Sequence, residues 1–115
     1  MFRKELLAKL KEINIKGYIY SMWSGKLVVH EGYVLPSKNG RPGRFYRYRG
    51  DKLLGSIMCD NEPGVIVNSA VWFEERDDKK AIDMLIQYEL DQIESCEVRI
   101  ENHKAKIQML KKAVL

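Results

Sequence analysis

From Asp77 to Leu115 the chain contains neither Gly nor Pro. Both residues punctuate regular structure, so their joint absence over so long a stretch predicts helix. Asp77 or Asp78 can accept the free amides of the first turn. Acidic residues dominate the first half and basic residues the second, which suits the helix dipole. A helix of about 37 residues would be about 55 Å long. That is too long for the small domain a chain of 115 residues can build. The helix therefore extends past its domain or breaks into a hairpin.

This stretch also carries a seam. Ile86, Ile93, Ile100 and Ile107 recur every seven residues, and Val114 continues the series. Ile82, Glu89, Cys96, His103 and Leu110 take the alternate seam positions, and Leu85 and Leu90 widen the apolar face near the start. A seven-residue period predicts coiled-coil-like contact, while the polar alternate positions argue against one long ideal two-stranded coil. We expect the first turns to pack on the protein's own sheet and the later turns on another subunit, giving a homo-oligomer. A single amphipathic helix lying on its own sheet leaves the length unexplained.

Residues 1–76 read as a β-rich front. Phe2, Leu6, Leu7, Leu10 and Ile13 recur at helical spacing, predicting a short amphipathic helix over residues 2–13, ended by Gly17. Tyr18 to Trp23 reads as a strand, Ser24-Gly25 as a turn, and Lys26 to Leu35 as the returning strand of a hairpin. Pro36 to Gly43 is a loop rich in breakers. Arg44 to Arg49 is a strand whose alternation places Phe45, Arg47 and Arg49 on one face and Arg44, Tyr46 and Tyr48 on the other. Gly50-Asp51 marks a turn, and Leu53 to Cys59 is a weak apolar segment without a clear assignment. Asn61-Glu62-Pro63-Gly64 is a strong turn, and Val65 to Phe73, without a charge, reads as the best strand. The fold expected is α+β: a short N-terminal helix, a mostly antiparallel sheet and a long C-terminal helix. Residues 1–115 form one domain in this reading, with 1–76 as helix plus sheet and 77–115 as the helical region.

Composition narrows the function classes. Hydrophobic residues make up 45% and charged residues 31%, which are globular values. No apolar run approaches the ~20 residues of a membrane span, and the opening residues lack the apolar core of a secretory signal. Cys59 and Cys96 have neither metal-site spacing nor a disulfide framework, so a reducing, intracellular setting fits. Net charge is +4, but residues 1–76 carry 13 basic and 8 acidic side chains, and residues 77–115 carry 7 and 8. Lys38, Arg41, Arg44, Arg47, Arg49 and Lys52 cluster around Phe45, Tyr46 and Tyr48. Base interleaved with aromatics favours an anionic, planar partner such as a nucleotide or nucleic acid. The same pattern also serves a solvated hairpin that keeps a sheet edge soluble.

No catalytic motif stands out. His30 and His103 lack a nearby ligand at metal-binding spacing and read as packing or surface residues. No nucleophile elbow, phosphate loop or dinucleotide fingerprint is present. Cys59 beside Asp60 lacks the positive surroundings of a reactive thiol. Glu74-Glu75-Arg76-Asp77-Asp78 could hold a divalent ion but suits a helix entry better. The expectation is a binding protein, not an enzyme, with no cofactor and no metal. Trp72 and Phe73 end the strongest strand on opposite faces, so one can enter the core while the other meets a ligand.

A β-rich front, an aromatic pair leading into a long charged helix, and no catalytic motif resemble small bacteriophage counter-defence proteins. The layout looks like the anti-Thoeris sponge family, which sequesters cyclic ADP-ribose signals. That resemblance implies a cytoplasmic homo-oligomer in an infected bacterial host, with nucleotide pockets where subunits meet. It implies that Trp72 or Phe73 stacks the base. Arg47 or Arg49 from the sheet and Arg99 with His103 or Lys104 from the helix would hold phosphate. The alternatives are a basic binder of nucleic acid or of a CRISPR complex, and a purely structural oligomer.

Overall fold

The computed structural model describes residues 3–50 and 52–113. Phe2, Asp51 and Val114, which enter the expectations for the first helix, a turn and the seam, lie outside the described residues. The element order is α1 (Arg3–Ile13), β1 (Lys16–Trp23), β2 (Lys26–Leu35), β3 (Gly43–Arg49), β4 (Lys52–Cys59), β5 (Val71–Phe73) and α2 (Asp78–Lys112). This is the α+β arrangement of a short helix, an antiparallel sheet and a long helix. The chain divides into two compact units, Met1–Leu85 and Ile86–Leu115, so the boundary falls inside α2 instead of at its start.

In the first unit the five strands run in the order β4-β3-β2-β1-β5, each antiparallel to its neighbour. α1 ends at Asn14, not at Gly17. Asn14 takes φ 59° and donates its amide to the Leu10 carbonyl, the left-handed closure that Asn tolerates. Gly17 instead lies inside β1, where a Cβ would collide with the Phe73 carbonyl and the Trp72 ring of β5. Ser24 and Gly25 both adopt positive φ, making the two-residue turn that suits the twist of the β1–β2 hairpin.

Two segments depart from the sequence reading. Leu53 to Cys59, ambiguous as a sequence, belongs to β4 and pairs with β3 across a bulge at Arg47/Tyr48. The run Val65 to Phe73 is not one strand. Asn68 and Ser69 take φ of 49° and 62°, and Val67 and Ala70 exchange both backbone hydrogen bonds around them. This tight turn leaves only Val71–Phe73 to pair with β1. A charge-free apolar composition hid a turn whose marker is a single Asn.

Each face of the sheet carries a buried cluster. On one face Ile19, Val34, Phe45, Cys59, Ala70 and Trp72 form a core cluster. On the other, Tyr20, Val71 and Phe73 pack with Ala81, Met84 and Leu85 from the first turns of α2. Alternation along β5 thus sends Val71 and Phe73 to one core and Trp72 to the other. The start of α2 is fixed by Asp77, whose carboxylate accepts the Lys80 amide at 3.1 Å as an N-cap. Tyr20 fastens that cap to the sheet: its hydroxyl donates to Asp78 Oδ1 at 2.7 Å and accepts the Asp77 amide at 2.9 Å. Arg76 also pairs with Asp78, at 2.9 Å. The acidic cluster at residues 74–78 therefore supplies the helix entry through Asp77 and Asp78.

The second unit is the remainder of the same helix. From Ile86 to Ala113 only Tyr88 is even half-buried, and Ile86, Ile93, Ile100 and Ile107 are each about half exposed. α2 runs unbroken to Lys112, so no hairpin forms.

Candidate functional site

A cavity of about 490 Å³ opens in the first unit on the Trp72 side of the sheet. Its floor is set by strand alternation. Ser21 and Trp23 follow Ile19 at two-residue spacing on β1, Val28 and His30 lie on β2, Arg47 on β3 and Ile57 on β4. The turn residues Asn68, Ser69 and Ala70 close one side. Trp23 is an exception to its residue type: it keeps 72% of its surface exposed while lining the opening.

Arg47 holds the central position for a reason visible in the ladder. Its partners across the sheet are Gly32 on β2 and Gly55 on β4. Neither presents a side chain, so the two glycines leave a strip of bare backbone on either side of the arginine. At Gly55, with φ 139°, an added Cβ would stand 3.1 Å from the Arg47 guanidinium, and only Gly adopts that backbone without strain. At Gly32 an added Cβ would overlap the Tyr46 carbonyl and the Phe45 ring.

The electrostatics are those of an unsatisfied cationic site. Arg47 is half-buried and its Nε has no partner, and Nδ1 of His30 is likewise buried and unpaired. Among the described residues no carboxylate pairs with Arg47 and none lines the cavity. Burial first, then the positive charges of Arg47 and Arg49, push His30 below the ordinary imidazole pKa of 6.5. His30 is therefore neutral near pH 7, and the guanidinium of Arg47 is the cationic group in the wall. A buried polar atom without a partner is unfavourable unless something else satisfies it. Here two such atoms belong to side chains of one cavity.

The structure sorts the sequence candidates sharply. Arg47 is in the cavity, and Arg49 is exposed near the end of the same strand. Trp72 and Phe73 do not offer a stacking face. Trp72 is 1% exposed, packs near Phe45 at 6.3 Å between ring centroids, and donates its indole N–H to the Asp60 carbonyl at 2.8 Å. Phe73 is buried on the opposite face, edge-on to Tyr20 at 6.1 Å and beneath the Lys80 ammonium at 5.3 Å. Among the described residues the exposed aromatic ring is that of Trp23. Its signal was a tryptophan beside a Ser-Gly turn, two positions from Ser21 on an alternating strand. His30, read from sequence as a packing or surface residue, also lines the cavity.

Arg99, His103 and Lys104 are exposed on the second unit. Arg99 donates to Cys96 Sγ at 3.2 Å, and Lys104 meets Glu101 at 3.5 Å. Cys59 and Cys96 are both free thiols. Burial, with Asp60 adding to it, raises Cys59 to a pKa of about 12, which leaves it a packing group and not a nucleophile. Among the described residues no group of three His, Cys, Asp or Glu side chains is placed to hold a metal ion, and no helix is long and apolar enough to cross a membrane. No family model, curated protein or solved structure matches the chain.

Proposed function

We propose that this protein captures a small nucleotide without transforming it, in the manner of a phage sponge for cyclic ADP-ribose signals in the host cytoplasm. One observation carries the reading: an arginine and a neutral histidine with buried, unpaired nitrogens line a cavity rimmed by an exposed tryptophan. A volume of about 490 Å³ suits a ligand of nucleotide size. Arg47 gives charge-assisted hydrogen bonds to phosphate oxygens. Trp23 stacks on the base, a contact worth roughly 1–3 kcal/mol. Neutral His30, with Asn68 and the serines of the wall, reads the polar edges of base or ribose. Capture without turnover fits a wall that lacks carboxylates and in which no hydroxyl is paired with His30 Nδ1. The exposed isoleucine repeat of α2 supports the second half of the proposal, assembly into a homo-oligomer.

Calorimetric titration with cyclic ADP-ribose, linear ADP-ribose and a single-stranded oligonucleotide tests the reading. Tight binding of the cyclic nucleotide, lost in Arg47→Ala and Trp23→Ala, supports it. Binding confined to the oligonucleotide, with a steep salt slope, transfers the function to nucleic acid. Binding of none of them overturns capture of this ligand class.

A further inference from the structure

The second unit carries its own instructions for a partner. Residues 86–98 hold four acidic side chains and no basic one, whereas residues 99–113 hold five basic and one acidic. Along this helix the isoleucine seam stays half exposed. We infer that α2 pairs with α2 of a second copy of this chain in antiparallel register, about a two-fold axis near Val98. The inference rests on the self-association reading above and adds the orientation to it.

Three observations select antiparallel over parallel. Antiparallel pairing sets the acidic half of each helix against the basic half of the other, whereas parallel pairing sets like against like along the whole length. Parallel coils also bring each residue preceding an Ile next to the partner residue five places on. Arg99 would then face Lys104 of the second copy, and Lys106 would face Lys111. The seam's own polar positions give the third reason. Parallel register stacks Glu89 on Glu89 and His103 on His103 inside the contact. Antiparallel register instead puts every one of them against an apolar partner position: Ile86 meets Leu110, Ile93 meets His103, Ile100 meets Cys96 and Ile107 meets Glu89. These four layers repeat by symmetry over a seam about 36 Å long, and Glu89 falls in the layer next to its end. The contact is isologous and closes as a pair, so it leaves no open end for further growth.

Sedimentation of the full chain and directed cross-linking test this together. Cys96 is changed to Ser, and Ile93→Cys and His103→Cys are made separately in that background; Cys59 is buried and does not interfere. Under mild oxidation an equimolar mixture of the two variants gives a disulfide-linked heterodimer, while neither variant alone cross-links to itself. Disulfide geometry requires Cα atoms within about 7 Å, which only the antiparallel layer supplies for positions 93 and 103. A parent chain that is monomeric at tens of micromolar overturns self-association and the orientation alike. A dimer in which Ile93→Cys links to its own copy overturns the orientation alone, as does a dimer showing neither cross-link.

Discussion

Isoleucine has two opposite fates in this molecule. Ile19, in the first unit, has no accessible surface, whereas Ile93, in the second, keeps 56% of its own. The first unit satisfies itself: its sheet carries a buried cluster on each face, and Tyr20 ties β1 to the start of α2. The second unit has periodicity without burial. Exposed apolar residues gathered along one line mark an interaction surface. The buried core thus resides in the first unit, and the proposed assembly rests on the second.

The sharpest way to break that contrast is to damage each region in turn. Trp72→Ala empties a fully buried site and strands the Asp60 carbonyl, so it should cost roughly 3–5 kcal/mol of stability. Thermal unfolding followed by near-ultraviolet circular dichroism would read this as a large drop in melting temperature. Ile93→Asp with Ile100→Asp should leave that transition almost in place and instead abolish the oligomer, because a buried unpaired charge at a contact is strongly unfavourable. Sedimentation velocity reads the second effect. A double variant that assembles like the parent removes the seam from the account.

The next effect sharpens the division between site and core. Arg47→Ala should weaken nucleotide binding by roughly 1.5–3 kcal/mol, about ten- to a hundredfold in Kd, the scale of a charge-assisted hydrogen bond. Melting should barely change, since the arginine has no partner in the fold to lose. Calorimetry and melting on one preparation separate these outcomes. An Arg47→Ala variant that melts far below the parent would place Arg47 among the structural residues.

What the sequence disclosed follows the range of the interactions involved. Period and breakers are local, so the helices, the first hairpin and the faces of residues 44–49 were legible. Strand β4 and the turn at Asn68–Ser69 were not. The first lacks strong alternation and is held by pairing with β3; the second is hidden in a run of Val and Ile. The site was legible only at Arg47. Its companions Trp23 and His30 come from strands whose register puts them beside it, and the glycines opposite it in the ladder are 15 residues upstream and 8 downstream. For Trp72 the sequence left core and ligand contact both open, because strand alternation alone does not say which face is covered; pairing of β5 with β1 makes it core.

Two titrations distinguish the regions more finely. The hydroxyl of Tyr20 is pushed up to a pKa of about 12, chiefly by burial and then by its bond to Asp78. The unfolded phenol titrates near 10. The neutral form is therefore favoured in the fold, and its contribution is complete below pH 10 and lost as pH rises towards 12. Tyr20→Phe should reduce the alkaline loss, to which Tyr48 and Cys59, each also pushed up to about 12, contribute the rest, and cost about 1–2 kcal/mol at neutral pH, because the Asp77 amide loses its acceptor and Asp78 keeps only Arg76. Urea denaturation at pH 7 and pH 11 measures both. An alkaline limb unchanged in Tyr20→Phe would assign it to another group.

The smallest effect belongs to His30 and reports on the cavity from inside. Its pKa is lowered by burial and by Arg47 and Arg49, so the folded state binds its proton less readily than the unfolded state does. The sign follows: the unfolded chain takes up the proton first as pH falls. The stability His30 contributes is thus present above pH 6.5 and declines as pH drops through that value towards the folded pKa. An anion bound by Arg47 reverses the local field, since its negative charge favours the imidazolium. Ligand should therefore raise the His30 pKa, and binding near pH 6 should take up protons from the buffer. Histidine proton resonances followed from pH 7.5 to 5, with and without cyclic ADP-ribose, give the two curves. A His30 curve that ignores a ligand shown by calorimetry to bind would place that ligand elsewhere on the chain.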